Sequence, residues 1–144
     1  MNYSCNGMLQ GWFKAKRLLM SFEDVQKVIA NRNNYIIINT MPLNEQHCLI
    51  PNTISCVEEE AQINQLMNQY DFYSKTFVVY GKNCNDESVE KKCAQLKQLG
   101  FSNVYSYMGG MFEWLCLQDI YGEDEFPTTT KELDILKYRG SPVL

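Results

Sequence analysis

Residues 76–88 read TFVVYGKNCNDES, and this stretch decides how the chain is read. Thr76 to Tyr80 form an unbroken run of β-branched and aromatic residues, the composition of a strand buried on both faces. Gly81 to Glu87 follow as a polar loop. From Ser88 to Leu99 the apolar positions Val89, Cys93, Leu96 and Leu99 recur at helical spacing, and Gly100 stands where a helix C-cap glycine belongs.

The same alternation extends in both directions. Upstream, Ser21 starts a helix with Asp24 as a capping-box partner, and Phe22, Val25, Val28 and Ile29 keep its period. Asn31 to Asn34 break it, and Tyr35 to Asn39 (YIIIN) is a second buried strand. A connection with two prolines leads to a helix over Cys56 to Tyr70, with Ile63, Leu66, Met67 and Tyr70 on one face, and Asp71 to Lys75 turn the chain. Downstream, Asn103 to Tyr105 is a short strand, Gly109-Gly110 break the chain, and Met111 to Tyr121 is an apolar helix. Alternating strands and helices imply a single α/β domain, a mostly parallel central sheet with helices on both faces. The domain is expected over 21–121, preceded by an arm, 1–20, and followed by a tail, 122–144. In the tail, Thr129 and Glu132 suggest a capping box opening a short helix through Leu133 and Leu136. No repeat or low-complexity segment interrupts the pattern.

Bulk properties narrow the function classes. The 144 residues suit one domain, and 45% hydrophobic against 21% charged is ordinary for a globular chain. A net charge of −4 argues against binding phosphate backbones by charge, and the cluster Lys14, Lys16, Arg17 is a small patch. No nucleic-acid partner is expected. No apolar run approaches the roughly 20 residues of a membrane span, and no signal peptide is read. Six cysteines without a C-x-x-C pair, beside a single histidine, call for no structural zinc and no cofactor. They read as free thiols of a reducing compartment, so the cytoplasm is the expected location.

Three blocks in order resemble a rhodanese-like domain: YIIIN followed by LIPNTI, then FVVY with its loop and a helix ending in LGF, then NVYSYMGGMFEWL. The resemblance covers about residues 21–118. The last block is the most specific, because the short strand, the paired glycines and Trp114 come at the family's spacing. The tail is similar to those of rhodanese-like proteins of large DNA viruses and some protists, and a viral source would add the virus particle as a location. The resemblance implies the family's chemistry: a cysteine directly after the central strand, cradled by loop N–H groups and a helix N-terminus that stabilise a thiolate and then a persulfide. An arginine near the loop's end holds the anionic donor.

This sequence departs from that pattern. Gly81 stands at the cysteine position, and nothing from Lys82 to Ser88 is an arginine. Asn39 and Met41 stand where the family often has Asp and Arg, and the segment from Tyr80 to Leu99 is about two residues longer than usual. Asp86 and Glu87 put negative charge where the cradle should be electropositive. The expected function is therefore that of a pseudoenzyme, a protein-binding or structural module with a degenerate loop, Gly81, Lys82, Asn83, Cys84, Asn85, Asp86, Glu87 and Ser88. The alternative is a divergent sulfurtransferase or thiol-redox protein with Cys84 as persulfide carrier.

Other residues invite chemistry less. His47-Cys48 resembles the start of a cysteine-phosphatase signature, but Ile54 stands where its arginine is needed, and His47 reads as a solvated loop residue. Cys93 and Cys116 lie on apolar helix faces and read as core. Glu58-Glu59-Glu60 read as a solvated helix face. Trp12, Phe13, Leu18, Leu19 and Met20 form an apolar arm that either packs on the domain or docks onto a protein partner.

Overall fold

The computed structural model describes residues 18–144. Three strands, β1 (Tyr35–Asn39), β2 (Thr76–Tyr80) and β3 (Val104–Tyr107), form a parallel sheet in the order β1-β2-β3. Ile37 lies opposite Val78, and Val78 opposite Tyr105. The sheet is continued at both margins. Ser106 N–H donates to Leu18 O and Met20 N–H to Ser106 O, both at 2.9 Å, which places residues 18–20 beside β3. At the other side Ile54 N–H donates to Ile37 O at 3.0 Å.

Among the described residues four helices cover the sheet: α1 (Phe22–Ala30), α2 (Cys56–Asn68), α3 (Glu87–Gln98) and α4 (Gly110–Tyr121). Helices α2 and α3 are the two crossovers between neighbouring parallel strands, and right-handed crossovers running the same way along a sheet fall on one face. The core divides accordingly. Ile36, Ile38, Phe77 and Val79 pack with Leu66 of α2 and Val89 and Leu96 of α3. Ile37, Val78 and Tyr80 pack with Val25 and Val28 of α1 and Met111, Trp114 and Leu115 of α4. The residues of β1 and β2 alternate between the two clusters, so these strands are buried on both faces. Among the described residues no helix is long and apolar enough to cross a membrane.

Local signals set the helix boundaries. Ser21 and Asp24 form the capping box of α1. Ser55 and Glu58 form a second one on α2, an S-x-x-E signature legible in the sequence. The Glu58–Glu60 run is not uniformly solvated, because Glu59 pairs with Lys92 of α3 at 2.6 Å and ties the two crossover helices together. Helix α3 ends in a Schellman motif: Gly100 has φ +110° and Phe101 N–H donates to Leu96 O at 3.2 Å. Helix α2 ends in the same way, with Asp71 N–H on Leu66 O at 2.9 Å. Its left-handed residue is Tyr70, at φ +54° and 84% exposed. Tyr70 therefore leaves the apolar face that periodicity gave it, because α2 stops at Asn68 and the reversal turns it to solvent.

Residues beyond α4 belong to the core. Phe126 and Tyr138 are buried in the α1/α4 cluster, and Phe126 meets Trp114 edge-to-face at 5.1 Å between ring centroids. Trp114 Nε1–H donates to Pro127 O at 2.9 Å. The capping box expected at Thr129 does not form. Thr129 instead pairs twice with Leu49, and a 3-10 turn, Ile135–Tyr138, follows with Leu133 and Leu136 exposed.

Holding a tyrosine in the left-handed region costs about 1–2 kcal/mol, and glycine removes that strain at some cost in chain entropy. Tyr70→Gly should stabilise the protein by about 0.5–1 kcal/mol, seen in thermal unfolding as a rise of roughly 2–4 °C.

Candidate functional site

Ligands of open parallel sheets bind beyond the carboxyl ends of the strands, which here means the loop leaving β2 at Gly81. A Cβ at Gly81 would fall inside contact distance of Asp86 Oδ2, 2.8 Å from Val89 Cγ2 and 2.9 Å from Asp86 Cγ. The space that a side chain at 81 would need is filled by the Asp86 carboxylate.

Asp86 is the N-cap of α3, and the loop's donors gather on it. Lys82 N–H donates to Oδ2 at 3.0 Å, Ser88 N–H to Oδ1 at 3.0 Å, and Ser88 Oγ–H to Oδ1 at 2.5 Å. Ser88 Oγ also lies 2.6 Å from Thr40 Oγ1, which locks the loop to the end of β1. Burial raises the Asp86 carboxyl, but the hydrogen bonds from Lys82 and Ser88 outweigh it, and the net shift is downward. The cradle already holds an anion, and the anion belongs to the chain.

The second helix aimed at this end of the sheet is treated likewise. Met111 N–H donates to Gly81 O at 3.0 Å and Phe112 N–H to Lys82 O at 2.9 Å, so the first turn of α4 is satisfied by loop carbonyls. This demands a close approach. Gly110 has φ +64°, and a Cβ there would stand 2.6 Å from Gly81 O. The Glu113 carboxylate folds back over Gly109, into the place a Cβ would take, and puts a second internal anion at a helix N-terminus.

The remaining loop residues are spoken for. Lys82 Nζ turns outward to Glu45 at 3.2 Å. Asn83 is buried; its Oδ1 accepts from Asn85 N–H at 2.9 Å, and its Nδ2 donates to Tyr138 O in the tail at 3.1 Å. The tail crosses the loop here, and Gly140 packs against Asn85. Cys84 is exposed, with its thiol 3.8 Å from Asn85 Oδ1. Glu87 opens α3. The other departures are structural: Asn39 Oδ1 accepts from Met41 N–H at 3.1 Å, and Met41 is core.

His47 is half-exposed, yet it is no free loop residue. Its Nε2 lies 2.5 Å from Glu132 Oε2, and Lys137 Nζ is 3.0 Å from the same oxygen. Periodicity could not have paired residues 85 positions apart. Cys48 is fully buried and donates to Thr130 O at 3.3 Å. Cys93 and Cys116 are only partly buried, and burial with the nearby carboxylates Asp119 and Glu113 pushes the Cys116 thiol up. The described residues hold no group of three or more metal-ligating side chains. Of the arm, Trp12 and Phe13 lie outside the described residues. Leu18, Leu19 and Met20 run along β3, with Met20 against the core and Leu19 56% exposed.

A model of the rhodanese-like domain matches residues 21–116. No curated protein is similar in sequence. Among solved structures, a full-length protein from Lactobacillus plantarum is similar over 91% of this chain and 100% of its own, at 19% identity and a TM-score of 0.57. An As-Sb reductase from Leishmania major is similar over 75% and 81%, at 20% identity and 0.51. A single-domain sulfurtransferase from Saccharomyces cerevisiae is similar over 75% and 96%, at 15% identity and 0.50. At these identities the likeness is one of fold.

Two expectations follow from the geometry. Gly81→Cys should destabilise by about 1–3 kcal/mol in urea unfolding, because both Asp86 and Val89 must move. Asp86→Ser, which keeps a capping hydroxyl, should make the same Gly81→Cys change cheaper by at least about 0.5 kcal/mol in a double-mutant cycle. Additive effects would show that the two sites do not compete. The second expectation concerns acid. Hydrogen bonds from His47, then Lys137 and Asp134 N–H, lower Glu132 from 4.5 to about 2. A depressed carboxyl contributes stability above its unfolded pKa and loses it as pH falls toward its folded pKa. Stability measured by urea unfolding should therefore fall between pH 4.5 and 2, and Glu132→Gln should fall less over that window.

Proposed function

This chain belongs to the rhodanese-like domain family, and we propose that within it the protein works without sulfur transfer, as a protein-binding or structural module. The observation that carries this reading is the Asp86 carboxylate lodged against Gly81, where an attacking sulfur would be held. A rhodanese-type site needs a thiolate at the focus of the loop donors and room for an anionic sulfur donor beside it. Here a carboxylate accepts from the donors of Lys82 and Ser88. A thiosulfate approaching it meets a charge of its own sign in a partly buried place, and the loop from Lys82 to Ser88 contains no arginine to offset the repulsion.

The closed mouth supports the same reading. Asn83 is bound to the tail through Tyr138 O, and Lys82 is held by Glu45. These contacts make a rigid surface of the region where an enzyme keeps a cleft. Leu43, Leu133 and Leu136 stand exposed on the turns adjoining it, apolar surface suited to contact with another protein. Apart from the loop, the fold keeps its two-sided core and its capped helices, as a domain kept for its shape requires.

Incubation with thiosulfate and cyanide tests the reading. No thiocyanate above the uncatalysed background is expected, and intact-mass spectrometry after thiosulfate should find no added sulfur of 32 Da. Turnover together with a persulfide on Cys84, both lost in Cys84→Ser, would make the protein a sulfurtransferase of unusual geometry and end the non-catalytic reading.

A further inference from the structure

The two ends of the sheet differ. At the carboxyl end the loop after β2 is closed by Asp86 and by the tail. At the amino end, where β1 begins at Tyr35, a cleft of about 300 Å³ opens between the chain leaving α1, the turn at Asn52 and the first two turns of α2. Arg32, Tyr35, Asn52, Ile54, Glu58 and Gln62 line it. The length of β1, about 13 Å, separates the two places along the strand direction.

Two opposite charges share this cleft without pairing. Glu58 is the fixed one. Its Oε2 accepts from Ser55 N–H at 2.9 Å in the capping box of α2, and the Ser55 hydrogen bonds hold its carboxyl below the ordinary value, so it is ionised at neutral pH. Arg32 is the movable one. It is exposed and, among the described residues, forms no hydrogen bond and no ion pair, with Glu58 or with any other carboxylate. Between them the lining is mixed. Tyr35 and Ile54 are half-buried, each packed on one of the two core clusters, and offer apolar surface. Asn52 is held by its own Nδ2, which donates to Ile29 O at 3.0 Å and leaves Oδ1 as an acceptor. The half-buried Gln62 adds a second amide.

We infer that the cleft binds a free α-amino acid with an aromatic or branched apolar side chain. The ligand's carboxylate meets the Arg32 guanidinium, its ammonium meets the Glu58 carboxylate, and its side chain lies against Tyr35 and Ile54. Charge selects this class. A carboxylate or phosphate alone would satisfy Arg32 but face Glu58, and an amine alone would satisfy Glu58 but face Arg32. A zwitterion carries both charges on neighbouring atoms and leaves neither side chain unmatched. Size agrees. A cavity of about 150 Å³ takes up benzene, so twice that volume has room for about twelve non-hydrogen atoms, the size of phenylalanine. A few polar groups around apolar surface, at the lower end of ligand-site volumes, is the ordinary build of a small-molecule site.

Titration of the full chain, followed by isothermal calorimetry and ligand-observed NMR, tests the assignment with L-phenylalanine and L-leucine as probes. Both should bind. Phenylpropanoate, which lacks the ammonium, and phenethylamine, which lacks the carboxylate, should each bind at least about tenfold more weakly than L-phenylalanine. Arg32→Gln and Glu58→Gln should each weaken L-phenylalanine by at least about tenfold. Both variants are built to keep the fold: Arg32 holds no partner among the described residues, and a glutamine at position 58 still completes the capping box with Ser55. No binding of either amino acid at millimolar concentration overturns the proposal. Phenylpropanoate or phenethylamine binding as tightly as L-phenylalanine would make the cleft a simple anion or cation site and overturn it too, as would unchanged affinity in either folded variant. The readout does not involve sulfur transfer, so this assignment and the non-catalytic reading stand or fall separately.

Discussion

The carboxylate of Asp86 and a side chain at residue 81 compete for one position, and the loop is built around the carboxylate. An N–H cradle at the end of a parallel strand is a concentration of partial positive charge, and it needs an anion to be stable. In a sulfur carrier that anion is a thiolate or persulfide, which comes and goes. Here it is tethered two residues before Ser88, whose N–H and hydroxyl both bind it, and it caps α3 at the same time. Helix stability and the filling of the cradle have become the same set of hydrogen bonds.

That choice passes to the neighbouring elements. The first N–H groups of α4 donate to the carbonyls of Gly81 and Lys82, and this brings the two backbones so close that only glycine fits at 110. Paired glycines at this place are a family trait in the sequence. Here they serve a closed junction, with Glu113 laid over Gly109.

The segment after α4 completes the closure. Phe126 fills a gap among Phe22, Trp114 and Tyr121, Tyr138 is buried beside Cys48 and Tyr80, and Thr129, whose N–H donates to Leu49 O and whose hydroxyl accepts from Leu49 N–H, holds the strap between them. Losing a buried aromatic side chain of this size costs roughly 3–5 kcal/mol, so the strap is bound by core packing as well as by its surface ion pairs. Its polar attachments, His47 to Glu132 and Asn83 to Tyr138, reach across 85 and 55 residues.

The sequence by itself determined the strands, the helices, their arrangement as a parallel sheet with helices on both faces, and the absence of a side-chain nucleophile at Gly81. These depend on short-range patterns: runs of β-branched residues, helical periodicity, capping boxes, and the residue that follows a strand. Tertiary structure alone decided what fills the empty place. Asp86 reads in sequence as one acidic loop residue beside another, and which of Asp86 and Glu87 turns inward depends on where α3 begins and how the loop meets β1. It also decided that Tyr70 faces solvent, that His47 is a clamp, and that the tail is core, because each depends on contacts between residues far apart along the chain.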